Sequence, residues 1–212
     1  MFLGFYNLAN FMTLLGLASS ITAIFAAIAL DFKWAVLLFA FAGVCDCLDG
    51  KLARNRIDNS DTRKAVFGIM LDSLCDLVSF GITPCVIAYA FGNKTVVDLV
   101  IYLLFISCGC IRLAYYNTRA LCYDGKAKGF VGTPITTSVI FFPIIMVFSM
   151  VVDPTVLGFV LRAFFIILGI AFVLKIKVRR LSAKALIVCA LVCTIAIALM
   201  FAFPDVPIRY LQ

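Results

Sequence analysis

"KWAVLLFAFAGVCDCLDGKLARN", residues 33–55, is apolar from Trp34 to Cys45 and then sets Asp46, Asp49, Gly50, Lys51 and Arg54 along its end. A helix of about 20 residues is what a hydrocarbon layer ~30 Å thick demands. Carboxylates at the end of such a helix cost at least ~2.5 kcal/mol each on insertion, and they persist where they face a cavity and perform a task. The stretch therefore reads as a membrane span whose inner end carries chemistry.

Working outward, the same apolar pattern repeats. The chain has 212 residues, 65% hydrophobic and 14% charged, with a mean hydropathy of +1.15. That is too little polar surface to cover a soluble globule. Apolar runs near 9–29, 33–53, 66–91, 95–117, 132–152, 155–174 and 184–203 give an expected all-α fold, a polytopic membrane helical bundle of about seven transmembrane helices. No internal repeat, low-complexity tract or flexible linker interrupts them, so residues 1–212 are expected to form a single integral-membrane domain.

Orientation follows from the basic residues, which stay on the cytoplasmic side in short loops. Of the 18 Lys and Arg, 13 fall in three alternate loops, at 51–64, 119–128 and 175–184. The N-terminus and the 46–65 region are thus expected in the cytoplasm, in a multi-pass protein of the cell membrane. The net charge of +7 matches that topology and anionic headgroups, so nucleic acid is not an expected partner. The first run has no basic segment before it and is long enough to span, so it is read as retained rather than as a signal peptide. Nine cysteines lie mostly inside apolar runs without regular spacing, and read as small buried hydrophobes rather than as disulfides. Cys45 and Cys47 bracket Asp46, but thiolate beside carboxylate is a poor soft-metal set.

The chain contains no glutamate and no histidine, so acid–base or metal chemistry must rest on aspartate. Asp46 and Asp49 lie three residues apart, and Gly68, Asp72 and Asp76 recur every four. Each set shares one helix face. If the faces meet, four carboxylates converge at the cytoplasmic end of a helical hairpin, where like charges need cations between them. Oxygen donors select Mg²⁺ or Mn²⁺, and two such ions suit displacement at phosphorus. Gly50, Ala53 and Gly68 leave room for a substrate beside the backbone, and the forked guanidinium of Arg54 suits a phosphate. The same small residues are also what packs helices together in membranes.

The pattern Asp46-x-x-Asp49-Gly50-x-x-Ala53-Arg54, followed by Gly68-x-x-x-Asp72-x-x-x-Asp76, resembles the signature of the CDP-alcohol phosphotransferases, membrane enzymes of phospholipid synthesis. All eight fixed positions are present across 46–76. One departure is the spacing between Arg54 and Gly68, 13 residues here where the family usually has eight. Within the family, "FGIMLDSLCDLVSFGITPC" (67–85) is most similar to the phosphatidylserine synthase branch. "IRLAYYN" (111–117) resembles its R-L-A-x-x-N segment, and "GFVGTPITT" (129–137) its F-x-G-L-P-x-P, with Thr133 and Thr136 departing from it. The acceptor-side segments thus lie at about 112–137, and the likeness spans about 7–140.

The resemblance implies a six-helix core, here with one helix more, and a homodimer. It implies transfer of a phosphatidyl group from CDP-diacylglycerol to the hydroxyl of L-serine, giving phosphatidylserine and CMP, with two Mg²⁺ or Mn²⁺ as cofactors. Asp46, Asp49, Asp72 and Asp76 would hold metal, and Asp76 would also take the serine proton. Gly50, Ala53, Arg54 and Gly68 would border the nucleotide, as would Asn10 and Thr13 of "NFMT" (10–13), for which helix capping is an equal reading. Arg112, an arginine within a span, and Asn117 are the expected serine contacts. A neutralising role toward the aspartates, or snorkelling, is the competing reading of Arg112; Arg162 reads as snorkelling or packing against a partner. Another acceptor alcohol, glycerol phosphate or inositol phosphate, is the alternative within the same chemistry. A divalent-cation transporter is the remote one, since the carboxylates gather at one end of their helices.

Overall fold

The computed structural model describes residues 4–55, 62–122, 130–131, 133–148, 152–175, 177–178, 193–195, 198 and 201–202. Among them the protein is an all-α bundle of seven helices: α1 Leu8–Ile28, α2 Phe32–Asn55, α3 Thr62–Asp76, α4 Thr83–Phe91, α5 Val96–Cys122, α6 Thr137–Phe148 and α7 Pro154–Val173. A π-helical turn, Leu77–Ile82, joins α3 to α4 without a break. Phe130–Val131 pairs antiparallel with Lys177–Val178, tying the chain after α5 to the chain after α7.

Four helices are long and apolar enough to cross a membrane: Leu8–Ile28, Arg63–Phe91, Val96–Leu121 and Thr155–Val173. This is a membrane protein. Six of the seven expected runs coincide with helices, and the seventh, 184–203, lies largely outside the described residues. The helix α2 falls short of a purely apolar span because Asp46, Asp49 and Lys51 enter its inner end. The helix α6 is shorter than its expected run, 132–152, because it starts late. Pro134 has no N–H, and the chain turns at Pro134–Thr136, where Thr137 N donates to the Pro134 carbonyl at 3.1 Å.

Along α1 polarity is the reverse of a soluble protein's. The buried stripe of α1 is Ala9, Asn10, Thr13, Gly16, Ser19, Ser20, Ala23 and Ala27, small and polar residues three or four apart. Its exposed face carries Phe11, Ile21, Phe25 and Ile28. Small residues draw helices close where lipid supplies no hydrophobic force between them, and large apolar ones face the tails. Close approach is visible at Gly43, where an added Cβ would come within 2.8 Å of Val139 on α6. The core is aromatic, with Phe39 edge-on to Phe80 and Phe142, and Phe105 edge-on to Phe165.

The π turn has a local cause. Pro84 cannot donate to the Phe80 carbonyl four residues back, and its ring would crowd that oxygen in a regular α-helix. Widening the turn relieves the clash; Thr83 N bonds back five residues to Val78, and the freed Phe80 oxygen accepts from Ser138 Oγ of α6 at 2.9 Å.

At the other end of α5, Asp98 is completely buried and its Oδ1 accepts from Arg162 Nε of α7 at 2.6 Å. Thr95 Oγ1 donates to the other oxygen at 2.6 Å. Arg162 therefore closes an ion pair between α5 and α7 rather than snorkelling.

Candidate active site

The site forms where α2 and α3 present their acidic faces across a gap held open by α1. Thr13 Oγ1 of α1 donates to Asp49 Oδ2 of α2 at 2.7 Å. One turn on, Gly16 admits α2 so closely that a Cβ there would lie 3.1 Å from Cys45 Cβ. On its other side α1 meets α3: a Cβ on Gly68 would stand 3.4 Å from Asn10 Oδ1. α1 thus fixes the separation between the two acidic faces.

Across that gap, one carboxylate oxygen each from Asp46, Asp49 and Asp72 lie within 4.8 Å of one another, close enough to hold a metal ion. Asp76, one turn further along α3 than Asp72, shares a cleft with Asp46 and Asp49. Three of the four carboxylates expected to converge thus meet around one point, and the fourth adjoins them. Asp49 is 5% exposed, and three like charges crowded in a membrane interior repel unless cations lie between them. An all-oxygen donor set fits Mg²⁺ or Mn²⁺ and not a thiophilic ion. Together with Thr13, Gly16 and Ala42, three of the aspartates, Asp46, Asp49 and Asp76, line a small cleft closed by Cys75, Ser79 and Phe80.

Arg112 of α5 interacts electrostatically with Asp46, Asp72 and Asp76, and its guanidinium stacks on Tyr116 at 5.5 Å. It therefore faces the acidic cluster, and its planar fork stays oriented by the ring beneath. Asn117, also expected in the acceptor pocket, is differently engaged. Its Oδ1 accepts from Ser73 Oγ at 2.9 Å and its Nδ2 approaches Met70 Sδ at 3.8 Å, which braces α5 against α3 beside Asp72.

Of the residues expected around the nucleotide, Gly50 has open space where a Cβ would be. Gly68, Asn10 and Thr13 meet at the α1 contacts just described. The helix cap is Asn7, whose side chain accepts from Asn10 N at 2.7 Å, while Asn10 Nδ2 donates to the Phe5 carbonyl at 2.7 Å. Capping is therefore not the role of Asn10 or Thr13. The side chains of Ala53 and Arg54, and the loop 56–61, lie outside the described residues. Ser79 was not singled out in the sequence, although its position three residues after Asp76 and seven after Asp72 places it on the same helix face.

The sequence model of the CDP-alcohol phosphatidyltransferase family matches residues 6–196. The chain belongs to this family. Among curated relatives of this chain, the CDP-diacylglycerol–serine O-phosphatidyltransferase of Saccharomyces cerevisiae is 42% identical over 106 residues, 47% of this chain and 37% of that one. The enzyme of that name from Mycobacterium tuberculosis is 38% identical over 133 residues, 60% of this chain and 44% of its own. An archaetidylserine synthase of Methanothermobacter thermautotrophicus is 28% identical over 173 residues, 80% of this chain and 64% of its own. The matched region thus spans less than two thirds of each of these relatives. No solved structure matches the chain.

Proposed function

We propose that this protein transfers the phosphatidyl group of CDP-diacylglycerol to the hydroxyl of L-serine, releasing CMP. The observation that carries the proposal is the all-oxygen cluster of Asp46, Asp49 and Asp72 within 4.8 Å, with Asp76 in the adjoining cleft and Arg112 near them. The names of the relatives, all serine-accepting among those compared, support the acceptor.

Asp46, Asp49, Asp72 and Asp76 would hold two Mg²⁺ or Mn²⁺. When bound, these ions neutralise the diphosphate and stabilise charge on the oxygens that attack and leave phosphorus. The chain's own groups do the rest. Thr13 holds Asp49 in one orientation, as outer hydrogen bonds do for metal ligands. Gly50, Ala53, Arg54 and Gly68, with Asn10 beside Gly68, border the cytidine diphosphate; the open space at Gly50 admits a ligand against the α2 backbone. Asp76, deepest of the four, accepts the proton of the serine hydroxyl, which without a base within reach is a poor nucleophile. Arg112 pairs with the serine carboxylate, and Asn117 supports that pocket by holding Ser73 next to Asp72.

Diacylglycerol tails remain in lipid while serine and CMP exchange with water, which requires the site at an interface. The basic residues of the loops support the cytoplasmic side for that interface and for the N-terminus. Residues 1–212 act as one integral-membrane domain, as a homodimer by resemblance to the family.

Membranes containing the protein, supplied with CDP-diacylglycerol, Mn²⁺ and one alcohol at a time, test the acceptor by CMP release. L-serine should support release, and glycerol 3-phosphate and inositol phosphate should not. The reverse pattern would remove serine as acceptor and leave the family chemistry intact.

A further inference from the structure

Ser79 sits on the π turn three residues beyond Asp76, lines the cleft beside it, and is 3% exposed. Its side chain belongs to the cleft wall, where a polar ligand atom can reach it. A buried hydroxyl without a partner costs on the order of 1–3 kcal/mol. Ser20 on α1 strengthens the point: it lies one helical turn past Gly16, which lines the same cleft, and its Oγ is fully buried with no hydrogen-bond partner.

The π turn is what turns Ser79 inward. Pro84 forces the widened turn, and Ser138 fixes it by donating to the carbonyl of Phe80, the residue next to Ser79. The walls around Ser79 are small, Gly16 and Ala42, so only a small head enters. Asp46, Asp49 and Asp76 share this cleft; with those carboxylates given to metal, Arg112 is the group left for an anion and the inner hydroxyl is left for a hydrogen-bond donor.

We propose that Ser79 is the specificity contact for the α-amino group of the acceptor, its hydroxyl oxygen accepting a hydrogen bond from the ammonium while Asp76 receives the acceptor's hydroxyl. This rests on the serine reading above. Asp76 and Ser79 are separated by about 4 Å along the helix, a span matched by the two carbons between the hydroxyl and amino groups of serine. Arg112 lies at the same depth. α5 runs back antiparallel to α3, Asn117 is level with Ser73 through their hydrogen bond, and five residues along α5 amount to about 7.5 Å inward. The three polar groups of serine thus have three separate partners: Asp76 for the hydroxyl, Arg112 for the carboxylate, Ser79 for the ammonium.

The test compares L-serine with 3-hydroxypropionate, which lacks the amino group, and with ethanolamine, which lacks the carboxylate, each as substrate or competitive inhibitor. In Ser79→Ala the KM for L-serine should rise about 10- to 100-fold, the loss expected for a hydrogen bond to a charged group. The constants for 3-hydroxypropionate and CDP-diacylglycerol, and kcat with serine, should change by less than about 2-fold. Ser79→Cys, which keeps the size with a weaker acceptor, should fall between, and it replaces the alanine variant if that one does not fold. Equal losses for serine and 3-hydroxypropionate, a fall in kcat alone, or no change in the serine KM would each overturn the assignment. Absence of CMP release from wild-type protein with L-serine would instead remove the proposed function on which it rests.

Discussion

Asp76 differs from the other three aspartates in depth and in neighbours. Asp46, Asp49 and Asp72 bring oxygens together within 4.8 Å, whereas Asp76 lies one turn beyond Asp72 and lines the cleft together with Ser79. Replacing an aspartate by asparagine keeps one coordinating oxygen but removes the capacity to accept a proton. Asp76→Asn should therefore lower kcat by ~10²–10⁴ while CMP, measured with Mn²⁺, still binds. Asp46→Asn, which removes charge from the centre of the cluster, should lose turnover and nucleotide affinity together. If Asp76→Asn loses CMP binding as badly as Asp46→Asn, the base is another group and Asp76 is a ligand only.

At the scale of elements, the pair between α5 and α7 offers a test away from the chemistry. Asp98 is completely buried, and Arg162, with a side chain 29% exposed, is its ion-pair partner. Asp98 precedes Arg112 by 14 residues of continuous helix, about 21 Å, so the pair stabilises the bundle far from the carboxylates. Arg162→Ala leaves a buried charge uncompensated and should cost about 3 kcal/mol, read as a lower midpoint of thermal unfolding in detergent, with kcat unchanged at permissive temperature. Unfolding at the wild-type midpoint would show that the pair contributes nothing.

That pair also shows where the sequence was mute. Six helices and the convergence of four aspartates were legible because both depend on local spacing: apolar runs of membrane length, and carboxylates three or four residues apart. Arg162 and Asp98 are 64 residues apart, and nothing local to either names the other. The bond from Thr13 to Asp49 has the same character. It spans 36 residues, and it gives α1 its part in the site, holding α2 and α3 apart, which a two-helix hairpin reading omits. The π turn lies between. Pro84 announced a disturbance in the helix, but the relief of that disturbance depends on Ser138, from a segment whose resemblance to the family pattern is imperfect at Thr133 and Thr136. The cap of α1 is a simpler case: Asn7 and Asn10 are both competent caps, and it is Asn7 whose side chain accepts from the Asn10 N–H.

For the molecule as a whole, the distribution of polarity joins fold to chemistry. Large apolar side chains cover the outside and also fill the middle of the bundle with phenylalanine, so it dissolves in lipid while keeping polar groups together at one end of α2 and α3. Lys51 of α2 and Arg63 and Lys64 of α3 stand near that end in the sequence, so positive charge flanks the carboxylates along both helices. The reaction needs this arrangement, since one product remains in the bilayer and the other leaves it. Its central claim is that the converged aspartates work through divalent metal. The direct measurement is incorporation of labelled L-serine into lipid by the purified protein with CDP-diacylglycerol, before and after chelation. Excess EDTA should abolish incorporation and Mn²⁺ or Mg²⁺ should restore it; full turnover in EDTA would contradict the account.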